Sequence, residues 1–163
     1  MEKPKFVYVT YINTTPEKLW AALTRTEFTS QYWFGSSIES DWKIGSPVRF
    51  RRGGEITDEQ TLLKFEPPRL LSYTWHPVFD EELRNERPSR VTFEIEPLGE
   101  KPGLQGKAVK LTVIHDDFPA DSKMFPRISN GWPAVLSSLK SLLESGVALD
   151  MGFGPCTSGD KPK

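Results

Sequence analysis

The side chains that could carry chemistry are few and scattered. The chain has two histidines, His76 and His115, and one cysteine, Cys156, in a Gly/Pro/Ser-rich C-terminal stretch. A zinc site needs three or four Cys, His or carboxylate ligands at suitable spacing, and neither histidine has a second one close by. A lone cysteine cannot form an internal disulfide. No nucleophile-elbow, P-loop or dinucleotide-binding motif occurs either, so the sequence predicts no metal site and offers no local catalytic motif.

His115 is the more informative histidine. It ends an alternating strand pattern on the predicted inward side, and Asp116 and Asp117 follow at once. A neighbouring carboxylate would hold the imidazole in one tautomer and raise its pKa. His115 could then bind or protonate a ligand carbonyl at a pocket mouth; the alternative is a hydrogen-bonded histidine at a strand end. His76 lies between Trp75 and a proline and is interpreted as a strand cap.

Large aromatic rings dominate the predicted core, with five Trp and ten Phe in 163 residues. A dry cavity costs about 24 cal/mol per Å³, so an empty pocket of about 300 Å³ would cost about 7 kcal/mol. A whole domain is stable by only about 5–15 kcal/mol, so we expect a modest pocket partly filled by its own rings. Tyr73 offers a polar handle among them. The predicted ligand-binding residues are Trp33, Phe50, Tyr73, Trp75, Phe93, His115 and Trp132.

An amphipathic helix near the C-terminus must position part of this set. Six apolar residues between Asn130 and Gly146 recur at steps of three and four, which places them on one stripe of an α-helix. They are Trp132, Val135, Leu136, Leu139, Leu142 and Leu143. Asn130 is predicted as the N-cap, Pro133 falls in the first turn and Gly146 ends the helix. The stripe needs an apolar partner surface.

Strand patterns before this helix supply that surface. Alternating or β-branched and aromatic segments lie at residues 5–12, 36–40, 48–52, 55–65, 70–75, 91–96 and 107–115. Two short helices are predicted after the first strand, one starting at Pro16 with Thr15 as N-cap and one at 27–32. The charged segment 76–88 is predicted to be a solvated loop. Short turns between consecutive strands indicate an antiparallel meander, so we predict an α+β fold in which a curved sheet of six to seven strands grips the long helix.

Composition limits the class of partner. The formal net charge is −1, which gives no electrostatic case for nucleic acid or an anionic membrane. No apolar run is long enough to span a bilayer, and the N-terminus lacks the pattern of a signal peptide, so a cytoplasmic location is expected. Residues 1–146 suit a single domain, and residues 147–163, rich in Gly and Pro, are predicted to be a disordered tail.

Several strings, taken in order, resemble the SRPBCC (START-like, helix-grip) superfamily, and more closely its activator-of-heat-shock-90-ATPase homologue-like branch. They are Thr15-Pro-Glu-Lys-Leu-Trp-Ala-Ala-Leu-Thr24, Trp42-Lys-Ile-Gly45, Pro67-Pro-Arg-Leu-Leu-Ser-Tyr-Thr-Trp75, Val91-Thr-Phe-Glu-Ile-Glu96, Val109-Lys-Leu-Thr-Val-Ile-His115 and Asn130-Gly-Trp-Pro-Ala-Val-Leu-Ser-Ser-Leu-Lys140. Together they span about residues 5 to 145. The chain departs from the family pattern at Gly45-Ser46 and at Gly106-Lys107.

The resemblance implies a cavity between sheet and helix that can hold an apolar ligand, with no cofactor and no shared catalytic set. The leading hypothesis is therefore a non-enzymatic module that binds a hydrophobic small molecule, such as a lipid, sterol or polyketide-like compound. The second is an enzyme resembling polyketide cyclases and aromatases, with His115, Tyr73 and Asp116 as candidate proton-transfer groups. The third is an interaction protein that stimulates a chaperone ATPase.

Overall fold

Seven strands and four α-helices make up the part of the chain that the structure, a computed structural model, describes: residues 3–100, 103 and 106–151. The strands are β1 (Phe6–Ile12), β2 (Ser37–Ser40), β3 (Pro47–Arg52), β4 (Glu55–Glu66), β5 (Leu70–Trp75), β6 (Ser89–Pro97) and β7 (Val109–Asp116). The helices are α1 (Pro16–Thr24), α2 (Thr26–Tyr32), α3 (Glu81–Asn85) and α4 (Met124–Ser145). Thr15 caps α1 as predicted, since its hydroxyl accepts a hydrogen bond from the Lys18 N–H at 3.1 Å.

The strands form one antiparallel sheet in the order β1-β7-β6-β5-β4-β3-β2. Strands β2 to β7 follow one another as a meander, and β1 pairs with β7 at one edge. Gly53 and Gly54, with φ of 60° and 85°, make the tight turn between β3 and β4, because positive φ is inexpensive only for glycine. The α+β helix-grip prediction is confirmed: the sheet, the two early helices and the long last helix are all present.

Helix α4 lays its apolar stripe on the buried face of this sheet. Trp132, Val135, Leu136, Leu139 and Leu142 are all buried, as the spacing predicted. The facing strand residues are buried at every second position, for example Val91, Phe93 and Ile95 of β6. The alternate strand residues and the helix residues spaced by three and four therefore pack against each other in one core.

The predicted start of this helix was wrong. Helix α4 begins at Met124, six residues before Asn130, and Pro133 lies inside it rather than in its first turn. The Ser122 hydroxyl accepts hydrogen bonds from the N–H groups of Met124 and Phe125, at 3.0 and 3.2 Å. It also donates to the Glu86 carboxylate, which follows α3. A cap held by a residue 36 positions away in sequence thus outweighs the local signal at Asn130.

The charged segment 76–88 is not simply a solvated loop, which corrects the prediction. It contains α3, capped by the Asp80 carboxylate that accepts from the Leu83 N–H at 3.2 Å, and Leu83 is only 2% exposed. His76 has the structural role predicted for it, because its Nε2 pairs with the Arg84 carbonyl at 2.9 Å. The buried Leu83 and backbone hydrogen bonds to β4, such as the one from the Val78 N–H to the Thr57 carbonyl at 2.8 Å, hold this charged segment against the domain.

The chain after α4 begins by returning along the helix. Gly146 ends α4 with φ of 84°, as predicted. The Leu149 N–H then donates to the hydroxyl of Ser138 at 3.2 Å, which explains why Ser138 is buried although the spacing placed it on the polar side. The predicted tail lies outside the described residues from position 152 onward, and Cys156 with it. None of the helices that are described is long and apolar enough to cross a bilayer.

Candidate ligand-binding site

A cavity of about 400 Å³ lies beneath the N-terminal half of α4. Its walls come from α4, the end of α2, strands β3 to β5 and the segment that carries α3. The lining residues share a mostly apolar character with one polar end. They are Trp33, Phe34, Ser36, Phe50, Arg52, Thr57, Asp58, Trp75, Pro77, Phe79, Leu83, Met124, Arg127, Ile128, Gly131, Trp132 and Val135.

The end of α2 delivers the central ring of this wall. Trp33 caps the helix C-terminus, where its backbone N–H donates to the Thr29 carbonyl at 2.8 Å. Phe34 and Gly35 then take left-handed φ values of 50° and 71°, which turn the chain sharply. The buried Thr29 hydroxyl donates to the Ser36 carbonyl at 2.8 Å and closes the turn. These bonds hold the Trp33 indole in the cavity wall.

Four of the seven predicted binding residues form this wall together. The Trp33 and Trp75 rings stack, with centroids 6.3 Å apart and planes 13° from parallel. Phe50 meets Trp33 edge-on at 4.8 Å. Trp132 of α4 lies 5.5 Å from the Trp33 ring and 5.3 Å from the Trp75 ring. The rings come from four separate elements, so only the tertiary structure brings them together.

The other three predicted residues lie behind the wall and do not line the cavity. Tyr73, Phe93 and His115 are fully buried. Tyr73 packs against Phe50 at 6.3 Å, while Phe93 packs against Trp132 at 5.8 Å. A ligand in the cavity would have to displace the rings of the wall to touch these three side chains. The inward face of each strand extends beyond the cavity, and the residues at those further positions belong to the core.

His115 is a satisfied core histidine rather than a group at a pocket mouth. The Trp132 Nε1–H donates to its Nδ1 at 3.0 Å, and its Nε2 pairs with the Ser89 hydroxyl at 2.7 Å. An indole N–H can only donate, so Nδ1 carries no proton and the neutral ring is the Nε2–H tautomer. Phe118 stacks on the imidazole at 4.9 Å.

The predicted direction of the His115 pKa was wrong. Burial lowers the pKa of His115 to about 3, although the charge of Asp116 acts in the opposite direction. The Asp116 carboxylate points outward and forms two hydrogen bonds with the Arg90 guanidinium, both of 2.9 Å. A neighbour in sequence is therefore not a partner in space, and desolvation of the imidazole decides the sign.

A polar end of the cavity was missed from the sequence. Arg52 and Asp58 line it, with Thr57 and Ser36 beside them. Asp58 is 8% exposed, and its carboxylate accepts a 2.6 Å hydrogen bond from the Thr57 hydroxyl. Burial raises the pKa of Asp58, against the hydrogen bond from Thr57 and the positive charge of Arg52.

The signal for this polar end was present in the alternation. Arg52 falls on the same face of β3 as Phe50, and Asp58 falls on the same face of β4 as the buried Leu62. Between them the register shifts, so that Asp58 faces Phe50 but Ile56 faces Arg51. Thr57 is the extra residue of this β-bulge, a device that re-aims side chains near functional sites.

Metal binding finds no support in the arrangement of these groups. Within residues 3–100, 103 and 106–151, no three Cys, His, Asp or Glu side chains come together as a potential ligand set.

Several solved structures share this fold over most of their length. The Aha1 dimer from Colwellia psychrerythraea superposes with a TM-score of 0.68 at 20% identity, covering 88% of this chain and 98% of that one. Protein MLL2253 from Mesorhizobium loti gives 0.68 at 26% identity, covering 86% and 96%. An HSP90 activator from Plasmodium falciparum gives 0.66 at 23% identity, covering 85% and 95%. No curated protein sequence matches the chain.

The family of this chain is shown by a family model that matches most of its sequence. Residues 13–144 match the model of the family described as activator of Hsp90 ATPase homolog 1-like protein. That segment runs from the turn before α1 almost to the end of α4 and so includes nearly every described element. The chain belongs to the activator of Hsp90 ATPase homolog 1-like family, within the SRPBCC superfamily.

Proposed function

We propose that this protein binds a small, largely apolar molecule in the cavity beneath α4 and acts as a binding module rather than as an enzyme. The observation that carries the proposal is the wall of four aromatic rings, from Trp33, Phe50, Trp75 and Trp132, around about 400 Å³ of space. Ligand pockets of roughly 300–1,000 Å³ with mainly apolar and aromatic walls are typical of small-molecule sites.

The apolar surface of the cavity walls favours an occupant. Apolar walls offer water few hydrogen bonds. A ligand that covers these rings removes the same apolar surface from water at a gain of about 25 cal/mol per Å².

The three candidate proton-transfer groups of the cyclase hypothesis, His115, Tyr73 and Asp116, do not line the cavity, which favours binding over catalysis by these groups. The enzyme hypothesis requires His115 and Tyr73 to reach a ligand. Both lie behind the ring wall, and His115 stays neutral with its two nitrogens already bonded. Proton transfer needs a donor or acceptor within about 3 Å of the reacting atom, and neither side chain lines the cavity.

Filling the cavity from α4 provides the decisive test. Gly131 lines the cavity, and a Cβ added there would meet no heavy atom within 4 Å. We expect Gly131→Leu to fold with unchanged or higher stability, since leucine is favoured over glycine in a helix by up to about 1 kcal/mol. The added side chain would occupy the ligand volume. Thermal shift against lipids, sterols, flavonoids and polyketides should find stabilising ligands for the wild type, and Gly131→Leu should lose that stabilisation.

Ser137→Leu is the matched control, because it adds the same side chain to the exposed face of the same helix. It should keep the ligand-induced shift, which is worth about 2.7 kcal/mol at a ligand concentration 100 times Kd. Quenching of tryptophan fluorescence gives a second readout, as three of the five tryptophans line the cavity. The proposal fails if no hydrophobic class stabilises the wild type, or if Gly131→Leu responds to the ligand as the wild type does.

A second candidate function, association with an Hsp90-type chaperone, is supported by the family match and by the likeness to a Plasmodium falciparum protein described as an HSP90 activator. If it holds, adding this protein to a purified Hsp90-type chaperone should raise the ATP hydrolysis rate in a saturable manner. Gly131→Leu should stimulate as the wild type does if the chaperone docks on the outer surface, because the substitution lies in the cavity. No binding and no stimulation at high protein concentration would reject this function.

A further inference from the structure

The polar end of the cavity holds two opposite charges that do not contact each other. Arg52 and Asp58 both line the same space. No ion pair within 4.0 Å joins them in the part of the chain that the structure describes. The positive charge of Arg52 nevertheless acts on Asp58, since it opposes the rise in the pKa of that carboxyl. Both groups therefore line the same end of the cavity, with their charged atoms more than 4.0 Å apart.

Each of the two groups has bonding capacity left over. The Nε of Arg52 is buried without a hydrogen-bond partner among the described residues. Its Nη2 lies 3.5 Å from the Ser36 hydroxyl, which is longer than a normal N–H···O bond. The Asp58 carboxylate accepts the one bond from Thr57, whereas a carboxylate offers about four acceptor positions.

Trp75 adds a further donor on the same wall. Its indole nitrogen is also buried without a partner among the described residues. Buried polar groups that lack partners are costly, and buried charges more so. A group in the cavity that accepts a hydrogen bond from the Arg52 guanidinium and donates one to the Asp58 carboxylate would pair with both charges.

The charges of the lining residues favour a neutral ligand group between Arg52 and Asp58. Arg52 and Asp58 cancel formally, and Arg127, the other charged residue of the lining, has its guanidinium 3.5 Å from the Asp80 carboxylate. An anionic ligand would meet the buried Asp58 carboxylate, and a cationic one would meet Arg52. A hydroxyl is uncharged, accepts through its lone pairs and donates through its O–H.

We propose that the cavity recognises a flat aromatic molecule through a hydroxyl group placed between Arg52 and Asp58, that is, a phenol-type ligand. This inference rests on the proposed binding function and specifies its ligand class. The stacked rings of Trp33 and Trp75 supply an apolar surface for the aromatic body. The hydroxyl then selects against ethers, which lack the donor, and against carboxylates, which carry a negative charge.

Three matched probes test the assignment by isothermal titration calorimetry at pH 7: 2-naphthol, 2-methoxynaphthalene and 2-naphthoate. They share one ring system and differ only in the polar group. We expect 2-naphthol to bind about 10-fold tighter than the methyl ether, as the loss of a hydrogen bond to a charged group is worth at least a factor of that order. We expect 2-naphthoate to bind more weakly than 2-naphthol. This comparison uses the wild-type protein alone and so depends on no variant folding.

Asp58→Leu tests the role of the carboxylate. The ratio of the Kd of the ether to the Kd of 2-naphthol should fall from about 10 towards one, because the acceptor for the O–H is gone. Glu59→Leu is the control. Glu59 is the next residue on the outer face of β4, half exposed and bound to Arg49 at 2.8 Å, so this variant should keep the wild-type ratio.

The outcomes separate the two proposals. Equal affinities for 2-naphthol and its ether, or tighter binding of 2-naphthoate, overturn the hydroxyl assignment and leave the binding function standing. The same holds if Asp58→Leu keeps the 10-fold preference. Failure of all three probes to bind overturns the phenol-type assignment, whereas the binding function is decided separately by the thermal-shift screen.

Discussion

Lowering the pH from 7 to 3 should destabilise this protein by about 4–5 kcal/mol through His115 alone. The group has an ordinary pKa of 6.5 in the unfolded chain, and burial lowers it to about 3 in the fold. Each unit of difference corresponds to about 1.36 kcal/mol. At a pH between these two pKa values, His115 is protonated in the unfolded chain and neutral in the folded protein. The free energy of unfolding therefore falls as the pH falls.

The physical reason lies in the two hydrogen bonds of the ring. Protonation of Nδ1 would place an N–H against the donor N–H of Trp132, 3.0 Å away. The surroundings compensate only in part, since Phe118 and Trp75 flank the imidazole and the charge of Asp116, which is bound to Arg90, does not outweigh the burial of the ring. The contribution of His115 is complete above pH 6.5 and is lost progressively towards pH 3.

Urea unfolding at intervals between pH 7 and 3 measures this effect against His115→Gln. The amide oxygen of glutamine can accept from Trp132, but the side chain does not titrate. The variant should be less stable at pH 7 and should lose less stability on acidification. Carboxylates titrate in both proteins, so the difference between the two curves isolates the histidine. Parallel curves would show that His115 is not held neutral by the fold.

Truncating Trp132 should have the largest effect of any single substitution on the wall. The side chain is 3% exposed and contacts the rings of Trp33, Trp75 and Phe93. Trp132→Ala should lower the free energy of unfolding by about 3–5 kcal/mol, the usual cost of removing a large buried ring. Trp132→Phe keeps much of the volume but removes the N–H, so it should cost about 1–3 kcal/mol for the unpaired Nδ1 of His115.

Chemical denaturation of both variants checks these values, with Trp20→Ala as the control. Trp20 is only partly buried, and its ring packs edge-on against Phe65 at 5.3 Å, so its removal should cost less. Trp132→Phe should also raise the pKa of His115, which NMR titration of the imidazole would detect, because the donor that opposes protonation is gone. If Trp132→Ala costs no more than Trp20→Ala, the ring wall is not the centre of the core.

Local patterns in the sequence predicted the elements and their faces well. Alternation identified the strands, and the three-and-four spacing identified α4 and its buried stripe, because side-chain direction in a regular element depends only on position along it. The Thr15 cap was predictable from the sequence as well, since the residues that form it are close together in the chain. Two predictions based on neighbouring residues were wrong: Asp116 as the partner of His115, and Asn130 as the helix cap. In the fold, Asp116 binds Arg90 and Ser122 caps α4.

The four rings of the cavity wall show which features the sequence pattern predicted and which it did not. The sequence alone determined that Phe50, Trp75 and Trp132 would lie on inward faces, because hydrophobic side chains at the right period face the core, whereas Trp33 follows α2 and its place in the wall came from the fold. Only the tertiary structure decided which inward residues line the cavity and which lie behind it. That choice depends on the gap between α4 and the sheet and on the β-bulge at Thr57. Desolvation also depends on the whole surrounding shell, so the neutral His115 and the buried Asp58 followed from the assembled fold and not from their sequence neighbours.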